Sequence, residues 1–597
     1  MKKTALLLLA LWACPWFATA NFESRIISIN QLGYPVHGDK IATLRSASKT
    51  PLGWRLYNLD SEQYVADGMT VPRGHDHASG VSVHHIDFSS VTKPGRYVIK
   101  CDGSPSYGFR IADDLYQQLP SDSFHYFYFH RMGAELDKTL LADPRHWRGA
   151  LHTADRQISC FDDWCGDDVM LNVQGSWADA GDFGIYPVNH AISAWTLLNA
   201  YELMPQQHQD NQYAIPERGN GVPDVLDEVR FGSQYFNGLM PPEQLASHKV
   251  TNQQWSVYPL SVAHENAMER YAQPPSTAAT YAVARVAAQQ ARVMAPFDPA
   301  FSSQQWQLAQ LAWQRAEQLP QVLYTAATKD SPGGGDYPDE DVSDDRYAAL
   351  AEMTITAKRL QSKHFAGFVA ELKQSPHFLT FNWRGSMDWQ KTQGTGTLSI
   401  IANWKELGLS QADREKAFES LIVSAETSLQ TIANSGFPTP YNPVIYDTEA
   451  KWEWGSNSMV ANNMIVLAYA YAISGERKYL QGVYRGWDYL LGNNALNLSF
   501  VTGYGSNAEM DTLDGHAWTQ LLRGIPYPAG WLSGGPMNDP SSCVGEPMTD
   551  LSKPPARAYA PAGTASRAWC SKENTINWNA PLYWLAIFTA NNPMPRQ

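Results

Sequence analysis

The chain has 597 residues, 44% of them hydrophobic, and its 59 Asp and Glu outnumber 45 Lys and Arg to give a net charge of −14. That length exceeds what one hydrophobic core supports, so a large domain plus a smaller one is expected. The acidic balance, with no basic run after Lys3, argues against nucleic acid or an anionic membrane surface as partner. Residues 1–20, MKKTALLLLALWACPWFATA, join a basic start, an apolar stretch and a small-x-small end, the pattern of a secretory signal cleaved before Asn21. A lipoprotein processing site at Cys14 is disfavoured by the bulky Trp12. No later segment has the apolar length to span a bilayer, so an exported protein without membrane insertion is expected. Residues 22–112 alternate in short runs (RIISIN, KIATLR, GWRLYN, VSVHHIDF, GRYVIK, YGFRIA) separated by turn residues, which predicts a small β-sandwich. From Asp114 to residue 594 the period becomes helical. In PDVLDEVRFGSQYF, Val225, Leu226, Val229 and Gly232 share one face, and similar stripes recur in STAATYAVARVAAQQARVM, SNSMVANNMIVLAYAYAISG and NWNAPLYWLAIFTA. About a dozen helices joined by long Gly- and Pro-rich connections predict a toroid of helix pairs, with Gly475 as one helix stop.

Export places the cysteines in an oxidising compartment. Cys160 with Cys165 and Cys543 with Cys570 are spaced to close two loops, leaving Cys101 over. Zinc is the other use of paired cysteines, but no CxxC or HxxxH spacing accompanies them. No phosphate loop, HExxH or GxSxG motif is present either, so carboxylate chemistry is what remains. In GSWADAGDFGIYP, Asp179 and Asp182 stand three apart on a backbone that Ala180 and Gly181 leave open. Near the other end, KENTINWNAPLYW sets Glu573 just ahead of an apolar helix. The 21 Trp, 29 Tyr and 21 Phe serve either a large core or stacking surfaces for flat, uncharged ligands such as sugar rings.

Taken together, these stretches resemble glycoside hydrolase family 9. INQLGYPVHGDKIATL is similar to the opening of that family's immunoglobulin-like module. GSWADAGDFGIYP, GNGVPDVLDEVRFG, DYPDEDVSDDRYAALAEM, WEWGSNSMVANN, YLLGNNALNLSFVTGYG, SGGPMND and KENTINWNAPL resemble its catalytic blocks, in order. The resemblance implies a mainly α protein, an (α/α)6 barrel preceded by an immunoglobulin-like β-sandwich. It further implies inverting hydrolysis of β-1,4-glucosidic bonds, for which two carboxyl groups stand roughly 6.5–9.5 Å apart to admit water. By motif position Asp182 is the general base, Asp179 helps hold the water and Glu573 is the general acid, its pKa raised by Trp578 and the neighbouring carboxylates. Trp452, Trp454 and Tyr504 are candidates for sugar stacking, with core packing the alternative for each. Trp177, Phe183 and Tyr186 flank the base, as loop support or as ligand contacts.

The chain departs from the family pattern in three places. Relatives with this module often carry zinc on two Cys and two His; here Met132, Leu151 and Ala178 stand at three of those positions and only His152 survives. One ligand cannot hold zinc, so that site is expected to be lost, with Cys160–Cys165 as a local clamp. DYPDEDVSDDRY gathers Asp336, Asp339, Asp341, Asp344 and Asp345 where the family often binds Ca²⁺; a structural calcium on Asp339, Asp341, Asp344 and Asp345 is implied, a solvated helix-capping loop being the alternative. After VTGYG the family's Pro-His-His-Arg element is missing, leaving His516 and Arg523 as the nearest substitutes for sugar binding. The insert PSSCVGEPMTD alters the rim and, by blocking one end of the cleft, would favour cellodextrins over internal attack on polymer.

The leading expectation is therefore a monomeric, exported β-1,4-glucanase, endo-acting or cellodextrin-cleaving. The alternatives are an exo-β-D-glucosaminidase on chitosan oligomers, with Asp511, Asp514 or Asp539 pairing the substrate amine, and a non-catalytic carbohydrate-binding protein on the same scaffold.

Overall fold

The computed structural model describes residues 25–325, 333–441, 443–446 and 449–596; the leader expected at residues 1–20 lies outside the described residues. Ten strands come first: β1 (Ile27–Ser28), β2 (Gly33–Tyr34), β3 (Ile41–Arg45), β4 (Gly53–Asn58), β5 (Tyr64–Met69), β6 (Val71–Asp76), β7 (Val81–Asp87), β8 (Gly95–Cys101), β9 (Ser104–Pro105) and β10 (Phe109–Ile111). One sheet runs β1-β3-β7-β6 and the other β2-β10-β8-β4-β5, with β9 paired to β8. Alternation does the sorting. In β4, Trp54 and Leu56 face a core with Tyr34, Phe88, Tyr97 and Phe109, while Gly53 and Arg55 face out. All six anticipated runs form strands. β5 and β6 were not anticipated because YVADGM and VPRGHD bury no residue fully and are held by edge pairing alone.

Among the described residues, twelve helices of nine residues or more follow. They are α1 (Leu119–Phe129), α2 (Pro187–Leu203), α3 (Asp224–Gly232), α4 (Thr277–Met294), α5 (Pro299–Gln318), α6 (Ser343–Arg359), α7 (Phe365–Gln374), α8 (Gln393–Leu407), α9 (Gln411–Asn434), α10 (Ser456–Ser474), α11 (Arg477–Leu490) and α12 (Ile576–Asn591). The even-numbered helices form the inner ring: α2 packs on α4, α4 on α6, α6 on α8, α10 on α12, and α12 back on α2. Burial explains the division. Every residue of α4 is buried, whereas α9 buries only Ala417, Leu421, Ser424, Ala425 and Ser428 along one stripe. Arg292 crosses the ring, 2.7 Å from Glu202 on α2 and 2.5 Å from Glu352 on α6. No helix among the described residues is long and apolar enough to cross a membrane.

The sandwich is docked onto the barrel through INQLGY. Gln31 N–H donates to Leu491 O at 2.9 Å, Asn30 Nδ2 to Asp488 Oδ1 at 3.1 Å, and Asn493 Nδ2 to Ile41 O at 2.9 Å. Both candidate disulfides are formed, Cys160–Cys165 and Cys543–Cys570, with Cys101 free and buried.

Candidate active site

The aspartate loop is clamped at its root. Ser176–Trp177 pairs with Arg131–Met132, and Asp179 N–H bonds Gly184 O at 3.0 Å just before α2 begins at Pro187. Closing so short a loop puts Phe183 at a left-handed φ of 56°. Gly181 has no room for a side chain: a Cβ there would lie 3.0 Å from the Tyr258 hydroxyl and 3.1 Å from Leu513 Cγ. Asp179 is buried and accepts from Asn189 Nδ2 at 2.5 Å and Tyr337 Oη at 2.8 Å. Asp182 is half-buried and accepts from Gly184 N–H at 2.9 Å and Tyr186 Oη at 2.5 Å.

Glu573 reaches the same place from the far end of the chain. Asp179 O accepts Ile576 N–H at 3.0 Å, Gly534 N–H donates to Glu573 O at 2.8 Å, and Leu513 N–H to Lys572 O at 2.8 Å. Lys572 is locked behind in a buried pair with Glu509 at 2.7 Å and Asp511 at 3.1 Å. The Trp578 indole lies between Gly455 and Gly534, where an added Cβ would come within 2.8 Å of the ring in either case. Glu573 is 9% exposed, and among the described residues its carboxyl accepts no hydrogen bond.

Electrostatics separate the three groups. Burial and then the charge of Asp182 push Asp179 up to about 8. Burial also raises Asp182, opposed by its bonds from Tyr186 and Gly184 and by the charge of Lys249. Glu573 is lifted well above the usual range by burial, then by Asp182 and Asp179. Together with the backbone bond from Ile576 N–H to Asp179 O, these influences place the three carboxyl groups near one another. Donors oppose the upward shift on both aspartates, whereas Glu573 has none, so of the three Glu573 is best placed to hold a proton and give it away. The positioning residues that the motifs did not single out are Asn189, Tyr258 and Tyr337. Tyr337 meets Tyr186 at 4.7 Å and Trp389 at 4.9 Å, ring to ring. Its only sequence signal is its place beside the acidic loop.

The five expected sugar contacts separate. Trp454 presents a ring 38% exposed. Trp452 is 2% exposed and packs on Tyr441 at 4.8 Å, because its backbone is pinned by Asn538 and its side chain turns inward. Tyr504 is buried and spends its hydroxyl on Asp122 at 2.7 Å. His516 is buried behind the aspartate loop, 2.7 Å from His146 O, and burial holds its pKa down to about 4. Arg523 is exposed, beyond the end of the short helix Gly515–Leu521.

Asp339, Asp344 and Asp345 are buried with carboxylate oxygens all within 4.8 Å of one another. Asp344 Oδ1 and Asp345 Oδ2 have no hydrogen-bond partner. An all-oxygen donor set with unpartnered buried atoms fits a hard cation such as Ca²⁺. Asp341 stands outside the cluster, accepting Ser343 N–H at 3.1 Å at the start of α6, and Asp336 pairs with Lys249 at 2.7 Å. Met132, Leu151 and Ala178 are buried apolar side chains, and His152 faces Glu265 at 3.3 Å.

A family model for glycosyl hydrolase family 9 matches residues 116–586, and one for the cellulase N-terminal ig-like domain matches residues 23–106. The chain is 33% identical to a cellulose 1,4-beta-cellobiosidase of Acetivibrio thermocellus, over 94% of this chain and 67% of that protein. It is 34% identical to endoglucanase C of Cellulomonas fimi, over 95% of this chain and 52% of that protein, so it spans about half that relative's length. A crystal structure of a metagenome-derived glycoside hydrolase family 9 endoglucanase superposes with a TM-score of 0.80 at 27% identity, covering 95% of this chain and 99% of that one. Site geometry, barrel and paired family matches agree: the chain is a member of glycosyl hydrolase family 9 that carries the cellulase-type ig-like domain ahead of its catalytic barrel.

Proposed function

We propose that this enzyme hydrolyses β-1,4-glucosidic bonds in cellulose-type glucans and cellodextrins with inversion of the anomeric carbon. The carrying observation is the convergence of Asp179, Asp182 and Glu573, with donors on both aspartates and none on the glutamate. Glu573 gives its proton to the leaving oxygen. Asp182, its carboxylate favoured by Tyr186 and Gly184, takes a proton from the attacking water, and Asp179 holds that water from the other side. Trp454 and Trp389 offer rings for the sugar faces. The names of the relatives, one a cellobiosidase and one an endoglucanase, support the substrate class.

The glucosaminidase alternative loses its carboxylates. Asp511 is paired with Lys572, Asp514 with His130 at 3.0 Å, and Asp539 with the N–H of Ser541 at 3.0 Å. Calcium, on Asp339, Asp344 and Asp345, would fasten the start of α6 beside the loop that carries Tyr337. Zinc is not part of this reading, since a lone histidine paired with a glutamate makes no site. The disulfides and the leader pattern support an enzyme working outside the cytoplasm. The test is proton NMR of the first cellotetraose products: the newly formed reducing end appears as the α-anomer. A β-anomer appearing first would refute inversion, and no turnover on any β-glucan would refute the reading.

A further inference from the structure

The aspartate loop is also held by a buried cation. Arg270 opens the short strand Arg270–Ala272, which pairs with Val250–Asn252. Its Nη1 donates to Phe183 O at 3.1 Å and to Asn252 Oδ1 at 2.7 Å, while Nε donates to Asp155 Oδ1 at 2.9 Å. Asp155 and Asn252 are buried, and Asn252 in turn donates to Glu265 Oε1 at 2.6 Å, which faces His152. Arg270, Asp155, Glu265 and His152 are thus all taken out of water behind one backbone carbonyl. Buried pairs of this kind cost desolvation and are weak evidence for stability. What they fix is where the guanidinium points.

That direction matters because of the peptide it meets. Phe183 O and Gly184 N–H belong to one peptide unit, and the Gly184 N–H donates to Asp182 Oδ1 at 2.9 Å. A guanidinium on the carbonyl end polarises the unit, so the N–H at its other end becomes a stronger donor to the carboxylate. The unit is held in an uncommon orientation, since Phe183 has a φ of 56°, which a bulky residue keeps only where its surroundings impose it. Rotation of this peptide would take the N–H off Asp182 and strand Arg270 in the same movement. The Tyr258 hydroxyl donates to Gly181 O, ahead of Asp182, so the loop has a side-chain donor on each side of that residue.

We propose that Arg270 is a positioning residue for the general base, locking the Phe183–Gly184 peptide so that its N–H stays on Asp182. This rests on the reading of Asp182 as base given above. The test uses β-cellobiosyl fluoride, whose fluoride leaves without a proton, so its hydrolysis depends on the base and not on the acid. Azide attacks without needing a base: its nitrogen forms the bond to the anomeric carbon as the C–F bond breaks and fluoride takes the electron pair. Arg270→Met is combined with Asp155→Leu, which removes both buried charges together. Arg270→Lys keeps the charge but not the fork that reaches Phe183 O, Asn252 and Asp155 at once. Each is expected to lower kcat on cellotetraose and on the fluoride by a similar factor, roughly ten- to hundredfold, with KM within about twofold. Azide is expected to restore most of the rate on the fluoride and give α-cellobiosyl azide, as it does in Asp182→Ala. A loss recovered in this way in either variant supports the assignment, because a residue that only holds the fold together gives the same loss with and without azide. Unchanged kcat in both variants, or a loss that azide recovers in Asp182→Ala and in neither of them, overturns it and leaves the base in place. Failure of azide on Asp182→Ala overturns the base reading, and the assignment of Arg270 with it.

Discussion

Two groups of carboxylates are held together in this chain against their own repulsion, and the means differ. Around Asp179 and Asp182 the neighbours are neutral donors: Asn189, Tyr337, Tyr186 and the Gly184 amide. Around Asp339, Asp344 and Asp345, two carboxylate oxygens have no donor at all, and burial and then the charge of Asp344 lift Asp345 well above the ordinary carboxyl range, only partly opposed by the Arg285 guanidinium. Neutral donors leave a carboxylate free to exchange a proton while fixing where it points. Orphaned oxygens in a buried triad ask for a cation instead. The same residue type, at similar spacing in the sequence, is thus prepared for chemistry in one loop and for fastening in the other.

The sharpest way to break this contrast is at Glu573, the carboxyl in the first group without donors. Glu573→Gln is expected to lower kcat on cello-oligosaccharides by roughly 10²–10⁴-fold, with KM little changed. A substrate whose leaving group needs no protonation, such as a dinitrophenyl cellobioside, is expected to lose far less. Equal losses on both substrates would remove Glu573 from the acid role. The pH profile carries the same information. Glu573 must hold its proton, so the rate falls as pH rises through its pKa, and burial beside two carboxylates moves that alkaline limb above the ordinary carboxyl range. The limb is expected to vanish in Glu573→Gln.

A smaller effect is expected from the donors themselves. Tyr337→Phe removes one of the two bonds that favour ionised Asp179, a group already pushed up to about 8. Its pKa rises further, and with it the pH at which Asp179 gives up its proton. The acid limb of kcat/KM therefore moves to higher pH, with kcat down roughly tenfold. An unchanged limb with a lower kcat would mean that Tyr337 serves only as packing for Trp389.

How much of this could be read from the sequence follows from the range of the forces involved. Alternation and helical stripes are local, so the main strands and the ring of buried helices were legible, while the exposed edge strands β5 and β6 and the two-residue strands β2 and β9 escaped. The carboxylates lay in dense short motifs and were legible too. Side-chain direction was not. Trp452 and Trp454 are two residues apart in one motif, yet the hydrogen bond from Trp452 N–H to Asn538, 86 residues away, turns one ring inward while the other stays exposed. For Tyr504 and His516 too the direction is set from afar, since their partners, Asp122 and His146, are more than three hundred residues distant. INQLGY was recognised as a motif without a purpose; docking against residues 488–497 supplies one.

The second carboxylate group sets the last and smallest effect. If the orphaned oxygens of Asp344 and Asp345 ask for a cation, binding stabilises the native chain by RT ln(1 + [Ca²⁺]/Kd), about 2.7 kcal/mol at a hundred times Kd. In a chain of this size that amounts to a Tm shift of roughly a few degrees. Chelation with EGTA is expected to lower Tm by that amount and calcium to restore it, magnesium being a poor substitute because it demands tighter octahedral geometry. Asp345→Asn is expected to abolish the response while leaving the Glu573-dependent alkaline limb in place. That independence is the decisive point, because a chelation effect on the limb itself would mean that the two acidic groups share one electrostatic field and not two.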